Sequence, residues 1–324
     1  MKAVVCKAWG PPESLVVENR PPLQAEPGNV VVDVKAASVK FSDTLLIQNK
    51  YQTKPDLPFI PGSEVAGIVK SIGHGVERWK VGDRVAAQTT YGGYAEEVIA
   101  EADRLVAIPD AVDFTAATGL SSTYGTSYYA LVDRGGLRAG ETLLVLGAAG
   151  GVGLAAIEIG KVLGATVIAC ASTEEKLAVC REHGADETIN YASEDMRARV
   201  KAITAGKGVD VIYDPVGGQF SELAFRDIAW GGRLLVVGFA AGDIPKIALN
   251  LPLVKGASIV GVWIGAFSKR EPARHRANAL ELWKWFAEGK IKPHVFATYP
   301  LEKAADALNA LAQRKVAGKV LLTT

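Results

Sequence analysis

The sequence predicts an α/β protein of two domains, one built on a doubly wound parallel sheet and one on a mostly antiparallel β-barrel. The chain has 324 residues, more than one ordinary hydrophobic core accommodates. Residues 1–121 contain short apolar runs separated by glycine and proline, whereas residues 122–265 alternate apolar runs with helical segments. This change in the order of apolar and helical segments indicates two different sheet architectures.

The composition limits the class of partner. Hydrophobic residues make up 49% of the chain, charged residues 22%, and the net charge is +1, values typical of a globular protein. So small a charge gives no broad field for nucleic acid. No apolar run reaches the roughly 20 residues of a membrane-spanning helix, so we expect no membrane insertion. Residues 9–12 (WGPP) interrupt the apolar start before a signal sequence forms, and we expect a cytoplasmic location.

The first region predicts the barrel. Its short, valine-rich runs cover residues 30–34, 65–69 and 84–87. Turn residues interrupt them, as at Pro27-Gly28 and Pro61-Gly62. Short strands without long helices between them favour an antiparallel barrel.

The second region predicts the parallel sheet. Apolar strands are expected at 142–146, 166–171, 209–213, 234–237 and 258–262. Helical spacing follows the first two of these strands, at 153–163 and 174–183. Strands that alternate with helices argue for a parallel sheet covered on both faces. After these strands the pattern of predicted elements differs, because helices are expected near 277–288 and 302–313 and a last strand at 319–323.

The cysteines predict neither a disulfide framework nor a metal site. Only Cys6, Cys170 and Cys180 are present, and their spacing matches no metal-ligand pattern. Cys170 lies in an apolar run and Cys180 on a predicted helix, so we expect both to be buried structural thiols.

A glycine-rich turn between a strand and a helix predicts a dinucleotide site. Gly150 lets backbone amides approach a pyrophosphate, and Gly153 lets the helix pack closely on the strand. The helix N-terminus adds unpaired N–H groups and partial positive charge. Ala148 replaces the first glycine of the usual pattern, so a turn without a ligand is the alternative. The residues expected to contact the phosphates are Ala149, Gly150, Gly151 and Val152.

The end of the second parallel strand predicts NADPH as the cofactor. NAD sites usually carry an acid there, but this strand ends in Ser172 and Thr173, and Lys176 follows one helical turn later. A hydroxyl and an ammonium suit a 2′-phosphate, because charge-assisted hydrogen bonds to phosphate are strong. In the alternative, Ser172 caps the helix, Glu175 completes a capping box and Lys176 is solvated.

Several segments in order carry a family resemblance. They are residues 37–43 (ASVKFSD), 61–67 (PGSEVAG), 81–85 (VGDRV), 148–153 (AAGGVG) and 184–191 (GADETINY). With them the chain resembles, over essentially its whole length, the quinone oxidoreductase branch of the medium-chain dehydrogenase/reductase superfamily. The resemblance implies a discontinuous GroES-like catalytic domain over 1–121 and 266–324. A Rossmann NADPH-binding domain over 122–265 would be inserted between its two parts.

The resemblance also implies cofactor contacts outside the glycine turn. The positions concerned are Thr126, Ser172, Lys176, Tyr191, Val237 and Phe239. Tyr191 has a second interpretation as a partly buried loop aromatic.

Zinc alcohol dehydrogenases of the same superfamily differ where their metal ligands stand. Ser63 occupies the position of a ligating histidine, and the neighbours of Val39 include no cysteine. Three separated cysteines and four histidines make a zinc site improbable, so no metal is expected. Without a Lewis acid, the reaction expected is reduction of a polarised quinone or an enone-like double bond.

Two side chains are candidates for catalysis. Tyr51 ends a run similar to one in enoyl thioester reductases, where a tyrosine assists protonation or orients the thioester; Asn49 here replaces a glycine. Tyr51 either takes such a role or only lines the pocket. Lys40 stands where relatives usually have asparagine. It is expected to bind a substrate carboxylate or carbonyl, to stabilise an enolate, or to point at solvent.

Three function classes remain from the sequence. They are an NADPH-dependent quinone or activated-alkene reductase, an enoyl thioester (acyl-CoA) reductase, and a non-catalytic NADPH-binding protein. The strand at 258–263 is expected at a sheet edge that pairs two subunits, so we expect a homodimer. Trp263 at its end is predicted to be a core residue, with a cleft wall or a subunit contact as alternatives.

Overall fold

A computed structural model describes residues 1–313 and 315–324, without the side chain of residue 121. Its internal contacts divide the chain into two compact units. The first comprises residues 1–122 and 293–324, and the second comprises residues 123–292.

The strands in chain order are β1 Lys2–Val5, β2 Val16–Asn19, β3 Asn29–Val39, β4 Glu64–Ile72, β5 Arg84–Gln88, β6 Glu97–Glu101, β7 Leu105–Ala107, β8 Thr142–Val145, β9 Thr166–Ala171, β10 Glu187–Asn190, β11 Val209–Asp214, β12 Ile228–Val236, β13 Ser258–Gly261, β14 Val295–Pro300 and β15 Lys319–Thr323. The α-helices are α1 Phe41–Leu46, α2 Phe114–Ala117, α3 Gly125–Tyr128, α4 Gly151–Val162, α5 Glu174–Glu182, α6 Met196–Ile203, α7 Gly218–Arg226, α8 Asn250–Lys255, α9 Ile264–Arg270, α10 Pro272–Ala287 and α11 Ala304–Ala312. Short 3₁₀ turns lie at Pro12–Ser14, Ala102–Arg104 and Leu301–Lys303, and π-helical turns at Leu120–Tyr124 and Tyr129–Arg134.

The first unit is built on a seven-stranded, mostly antiparallel sheet. Its order is β14-β15-β3-β4-β5-β7, and β6 pairs with the free part of β3. Only the β14–β15 pair is parallel. The 11-residue strand β3 is buried over most of its length, including three consecutive valines at 30–32, and it pairs with β4, β6 and β15. The prediction of a mostly antiparallel barrel-type domain is confirmed.

The second unit is a doubly wound parallel sheet. Its six strands follow the order β10-β9-β8-β11-β12-β13, and every pairing is parallel. The strands from β8 to β12 are rich in buried aliphatic residues, as both faces of such a sheet must be covered. The chain order reverses direction between β8 and β11, the point at which ligands bind in this fold. The α/β fold class is confirmed.

The second domain boundary differs from the expected one. The sequence placed it at 265/266, whereas the compact units meet at 292/293. The segment between these positions packs within the second unit: Phe267 stacks on Tyr129 at 4.0 Å, and Arg274 pairs with Asp133 at 2.7 Å. These contacts involve residues far apart in the chain, so helical spacing alone did not assign α9 and α10 to the second unit.

Two further predictions have opposite outcomes. Cys170 and Cys180 are free and buried, as expected. Trp263 is not a core residue, because 67% of its surface is exposed. It follows the last strand of the sheet, where one side of the sheet has no neighbouring strand within the described residues. In the part of the chain that the structure describes, no helix combines the length and apolar character needed to span a bilayer.

Candidate active site

The predicted cofactor contacts collect at one edge of the parallel sheet. Ser172 follows the end of β9, Tyr191 the end of β10 and Val237 the end of β12. The glycine turn follows β8, in the middle of the sheet. Because the strands are parallel, all four chain segments leave the sheet on the same side. This edge is where an open α/β sheet binds its ligand.

In the turn between β8 and α4, backbone atoms pack closely against one another. Gly147 has a φ of +57°, and the Gly150 N–H donates to its carbonyl at 3.0 Å. A Cβ on Gly153 would lie 2.5 Å from the Ala148 oxygen and 2.6 Å from the Gly147 oxygen, so only glycine fits there. The 12-residue helix α4 therefore starts against the strand, with its first N–H groups at the ligand edge. This arrangement fits a pyrophosphate.

Helix α3 is fixed beside the first turn of α4. The Ser127 hydroxyl donates to the Val152 carbonyl at 2.8 Å and is 2.8 Å from the Tyr213 hydroxyl. Thr126, the residue before Ser127, is consequently held near the glycine turn. Sequence reasoning missed Ser127 and Tyr213. The one signal was a tyrosine within a predicted buried strand, since a buried phenol needs a hydrogen-bond partner.

The helix that follows β9 is capped by Thr173, not by Ser172. Its hydroxyl accepts from the Lys176 N–H at 3.4 Å, and the helix begins at Glu174. The alternative role of Ser172 as the cap is thus wrong by one residue. The Glu175 carboxyl group hydrogen-bonds its own backbone N–H and the Thr173 hydroxyl, and these two bonds lower its pKa, the first more than the second. Ser172 lies between strand and cap, and Lys176 is half-buried in the first turn of α5.

The remaining predicted contacts line the same edge. The Tyr191 N–H donates to the Ala171 carbonyl at 3.1 Å, and its ring lies 4.6 Å from that of Phe220. The Val237 N–H donates to the main chain of β11, and Phe239 packs so closely on Gly217 that a Cβ there would lie 2.9 Å from its ring. Tyr191 is therefore a partly buried loop aromatic at the ligand edge, which agrees with both of its interpretations.

Lys40, in the first unit, is held by other side chains. Its ammonium donates to the Ser122 hydroxyl at 3.1 Å and lies 3.9 Å from a carboxylate oxygen of Glu64. Only 22% of the Lys40 side chain is exposed, and Glu64 is fully buried. The alternative in which Lys40 simply points at solvent is wrong, because a buried carboxylate attracts the ammonium.

Tyr51 lies near a buried acid that sequence reasoning missed. Asp43 is buried, accepts from the Tyr94 hydroxyl at 2.8 Å and accepts from the Lys40 N–H at 2.9 Å. Burial raises the pKa of Asp43. Tyr51 packs against the core of the first unit, and burial, assisted by the Asp43 charge, raises the pKa of its phenol. Tyr51 therefore keeps its proton and is suited to donating a hydrogen bond.

Within residues 1–313 and 315–324, no group of three or more His, Cys, Asp and Glu side chains is placed to hold a metal ion. The expectation of zinc-free chemistry stays a prediction.

Comparisons with known proteins define the class. A family profile described as an alcohol dehydrogenase GroES-like domain matches residues 26–110, and one described as a zinc-binding dehydrogenase matches residues 151–282. The chain is 40% identical to a quinone oxidoreductase-like protein 2 homolog of Nematostella vectensis, over 100% of this chain and 89% of the relative. It is 36% identical to a quinone oxidoreductase of Pseudomonas aeruginosa, over 99% of both chains.

A solved structure agrees with these relatives. The crystal structure of Escherichia coli quinone oxidoreductase complexed with NADPH is similar, with a TM-score of 0.92, 31% identity and full coverage of both chains. A parallel nucleotide-binding sheet joined to a GroES-like domain defines a dehydrogenase or reductase of the medium-chain type. The chain belongs to the quinone oxidoreductase branch of the medium-chain dehydrogenase/reductase superfamily, which confirms the resemblance.

Proposed function

We propose that this protein is an NADPH-dependent reductase that transfers hydride to a quinone or an α,β-unsaturated carbonyl compound without zinc. One observation carries the proposal. The carboxyl edge of the parallel sheet combines a glycine turn with Ser172 and Lys176, and no acid ends β9. That donor set suits a dinucleotide with a 2′-phosphate. The E. coli relative that holds NADPH supports the same cofactor.

Different residues would hold different parts of NADPH. The amides of residues 149–152 and the start of α4 suit the pyrophosphate, and Ser172 and Lys176 suit the 2′-phosphate. The other residues expected to contact the cofactor are Thr126, Tyr191, Val237 and Phe239. When bound, NADPH supplies a hydride, so the acceptor gains two hydrogens once it has also taken a proton, and NADP⁺ remains.

Lys40 and Tyr51 are proposed as the substrate-directed side chains. Reduction of a conjugated carbonyl places negative charge on its oxygen, which an ammonium stabilises. The Lys40 ammonium is fixed by Ser122 and Glu64, so it needs little reorganisation for that role. The raised pKa of Tyr51 makes its phenol a weak acid, which favours orienting the acceptor over protonating it.

Two other functions stay in competition. Tyr51, at the end of its Ile-Gln run, favours an enoyl thioester reductase acting on acyl-CoA. A non-catalytic NADPH-binding protein has the same nucleotide edge, because the fold does not assign chemistry. The three differ in what they reduce rather than in what they bind.

A substrate panel separates these functions. The purified protein is mixed with excess NADPH and with para-benzoquinone, crotonaldehyde or crotonyl-CoA, and NADPH absorbance is followed. We expect turnover with the quinone or the enal that is unchanged after dialysis against a chelator. Turnover with crotonyl-CoA alone would replace the proposal with the thioester reductase. Tight NADPH binding without any turnover would support the non-catalytic alternative, and loss of turnover on chelation would refute the zinc-free mechanism.

We also propose a homodimer that pairs through β13. This strand ends the sheet order within the described residues, and Ile259 and Trp263 at this edge are exposed. The cytoplasmic location remains an expectation from the sequence, to be tested by cell fractionation.

A further inference from the structure

Two lysines and one glutamate form a buried ionic cluster in the first unit. Glu64, the first residue of β4, is fully buried and accepts from the Ser122 N–H at 3.0 Å. Lys40 reaches it from the start of α1, and Lys319, the first residue of β15, is only 5% exposed. A buried charge is costly unless it is paired. Lys319 nevertheless adds a second buried cation within the electrostatic reach of the same carboxylate.

The fold makes a specific place for the Lys319 ammonium. Its Nζ donates to the Thr118 carbonyl. The next residue, Gly119, has a φ of +96°, and a Cβ built there would lie 1.4 Å from the Lys319 Nζ. The ammonium thus occupies space that exists because residue 119 has no side chain. Lys319 is held by this site and is not a surface lysine folded inward.

The charge of the cluster depends on Lys319. Burial lowers the pKa of Lys319, the Glu64 charge opposes this shift, the Lys40 charge adds to it, and the net pKa is about 8. Protonated Lys319 gives the three groups a net positive charge, and neutral Lys319 leaves Lys40 and Glu64 to cancel. Nearby ionisable groups include Asp43, which contacts the Lys40 main chain, Tyr94, which donates to Asp43, and His294, whose carbonyl accepts from the Lys319 N–H.

We propose that Lys319 is a positioning residue that acts through Glu64. When it is protonated, its charge also acts on the Glu64 carboxylate and weakens the hold of that carboxylate on Lys40, whose ammonium is then available to stabilise negative charge on the acceptor's carbonyl oxygen. This inference rests on the proposed reductase function. The hydride brings two electrons to an acceptor carbon, the charge moves to the oxygen, and the oxygen takes a proton from water as NADPH becomes NADP⁺. The substrate class is thus a conjugated carbonyl compound, quinone or enone.

The test compares pH profiles of two lysine variants. We expect wild-type kcat with para-benzoquinone to fall as the pH rises through about 8, because Lys319 loses its proton there. Lys319→Met should lack this decline and, near pH 6.5, should have a kcat about tenfold lower, with an unchanged KM for NADPH. Lys70→Met is the matched control, because Lys70 also pairs with a largely buried carboxylate of the same unit, Glu97. Its profile should follow the wild type, and a Lys319→Met variant that keeps the alkaline decline would overturn the proposal.

A second measurement needs no variant. In wild-type protein labelled at lysine side chains, NMR titration should show one lysine with a midpoint near pH 8. If every lysine titrates near its ordinary value of about 10.4, the inference is overturned even if Lys319→Met does not fold. If the protein reduces a quinone or an enone but no lysine titrates near pH 8, this inference is refuted and the proposed reductase function is not. Absence of turnover with every acceptor refutes the reductase function, and this inference with it.

Discussion

At the scale of single residues, we propose that cofactor choice rests on the short segment after β9. Thr173 supplies the helix cap, so the Ser172 hydroxyl is not used for that purpose. Lys176 sits one turn into α5, where the helix N-terminus already favours an anion. An acid at this strand end would instead repel a 2′-phosphate. We therefore expect the preference between NADPH and NADH to depend on very few side chains.

Lys176→Met tests this dependence. Loss of one charge-assisted hydrogen bond to phosphate should weaken NADPH binding by roughly 1.5–3 kcal/mol and leave NADH binding nearly unchanged. Fluorescence titration with each cofactor measures the two dissociation constants. The control is Lys201→Met on α6, an exposed lysine in the same unit, which should bind both cofactors as the wild type does. Equal weakening of NADPH and NADH by Lys176→Met would refute the assignment.

At the scale of elements, the sequence predicts best where periodicity is long and ends are marked. The bounds of β9 and β15 match their predicted ranges, and α4 and α5 lie within two residues of theirs. The cap of α5 was misplaced by one residue because serine and threonine are both good caps. Helix α7 was not predicted. It begins at Gly218, directly after Gly217, and two successive glycines with positive φ indicate a loop in the sequence.

The sequence predicts the candidate site only where the residues of the site are neighbours in the chain. The glycine turn and the segment after β9 are each contiguous, so the sequence alone can nominate the residues that we propose to contact the cofactor. The ionic cluster of Lys40, Glu64 and Lys319 was not predicted, apart from Lys40. It forms because β15 pairs with β3 and β3 pairs with β4, which brings residues from distant parts of the chain together. One sequence shows the composition of these strands but not their neighbours.

Two alanine variants separate the structural and binding roles of the glycine turn. Gly153→Ala places a methyl group against two backbone oxygens at 2.5 and 2.6 Å, so it should lower the unfolding free energy by about 1–3 kcal/mol. Gly150→Ala has room, with the nearest oxygen at 3.4 Å and an ordinary extended backbone, so its stability should be unchanged. It should still weaken NADPH, because the methyl group blocks close approach of the pyrophosphate. Denaturant unfolding and cofactor titration measure both effects; wild-type stability of Gly153→Ala would contradict this account.

At the scale of the whole molecule, the second unit has an apolar edge that its own chain does not cover. Trp230 on β12 is 80% exposed, and Leu253 on α8 and Trp263 after β13 are also largely exposed. Large exposed apolar surfaces usually mark interaction sites. The adjoining strand β13 presents main-chain groups on its outer side, as edge strands do. Exposed apolar side chains near both ends of this open strand edge favour pairing with a second copy across a twofold axis.

Ile259→Asp tests the dimer. In a twofold pairing of β13, the two introduced carboxylates would face each other across a short distance, and each would lose its water. We expect the wild type to sediment at twice the mass of the chain and Ile259→Asp to sediment as a single chain at the same concentration. Val81→Asp, which introduces the same charge at an exposed valine of the first unit, should remain a dimer. If wild type and Ile259→Asp have the same mass, whether one chain or two, β13 does not form the subunit contact, and the exposed tryptophans need a different partner.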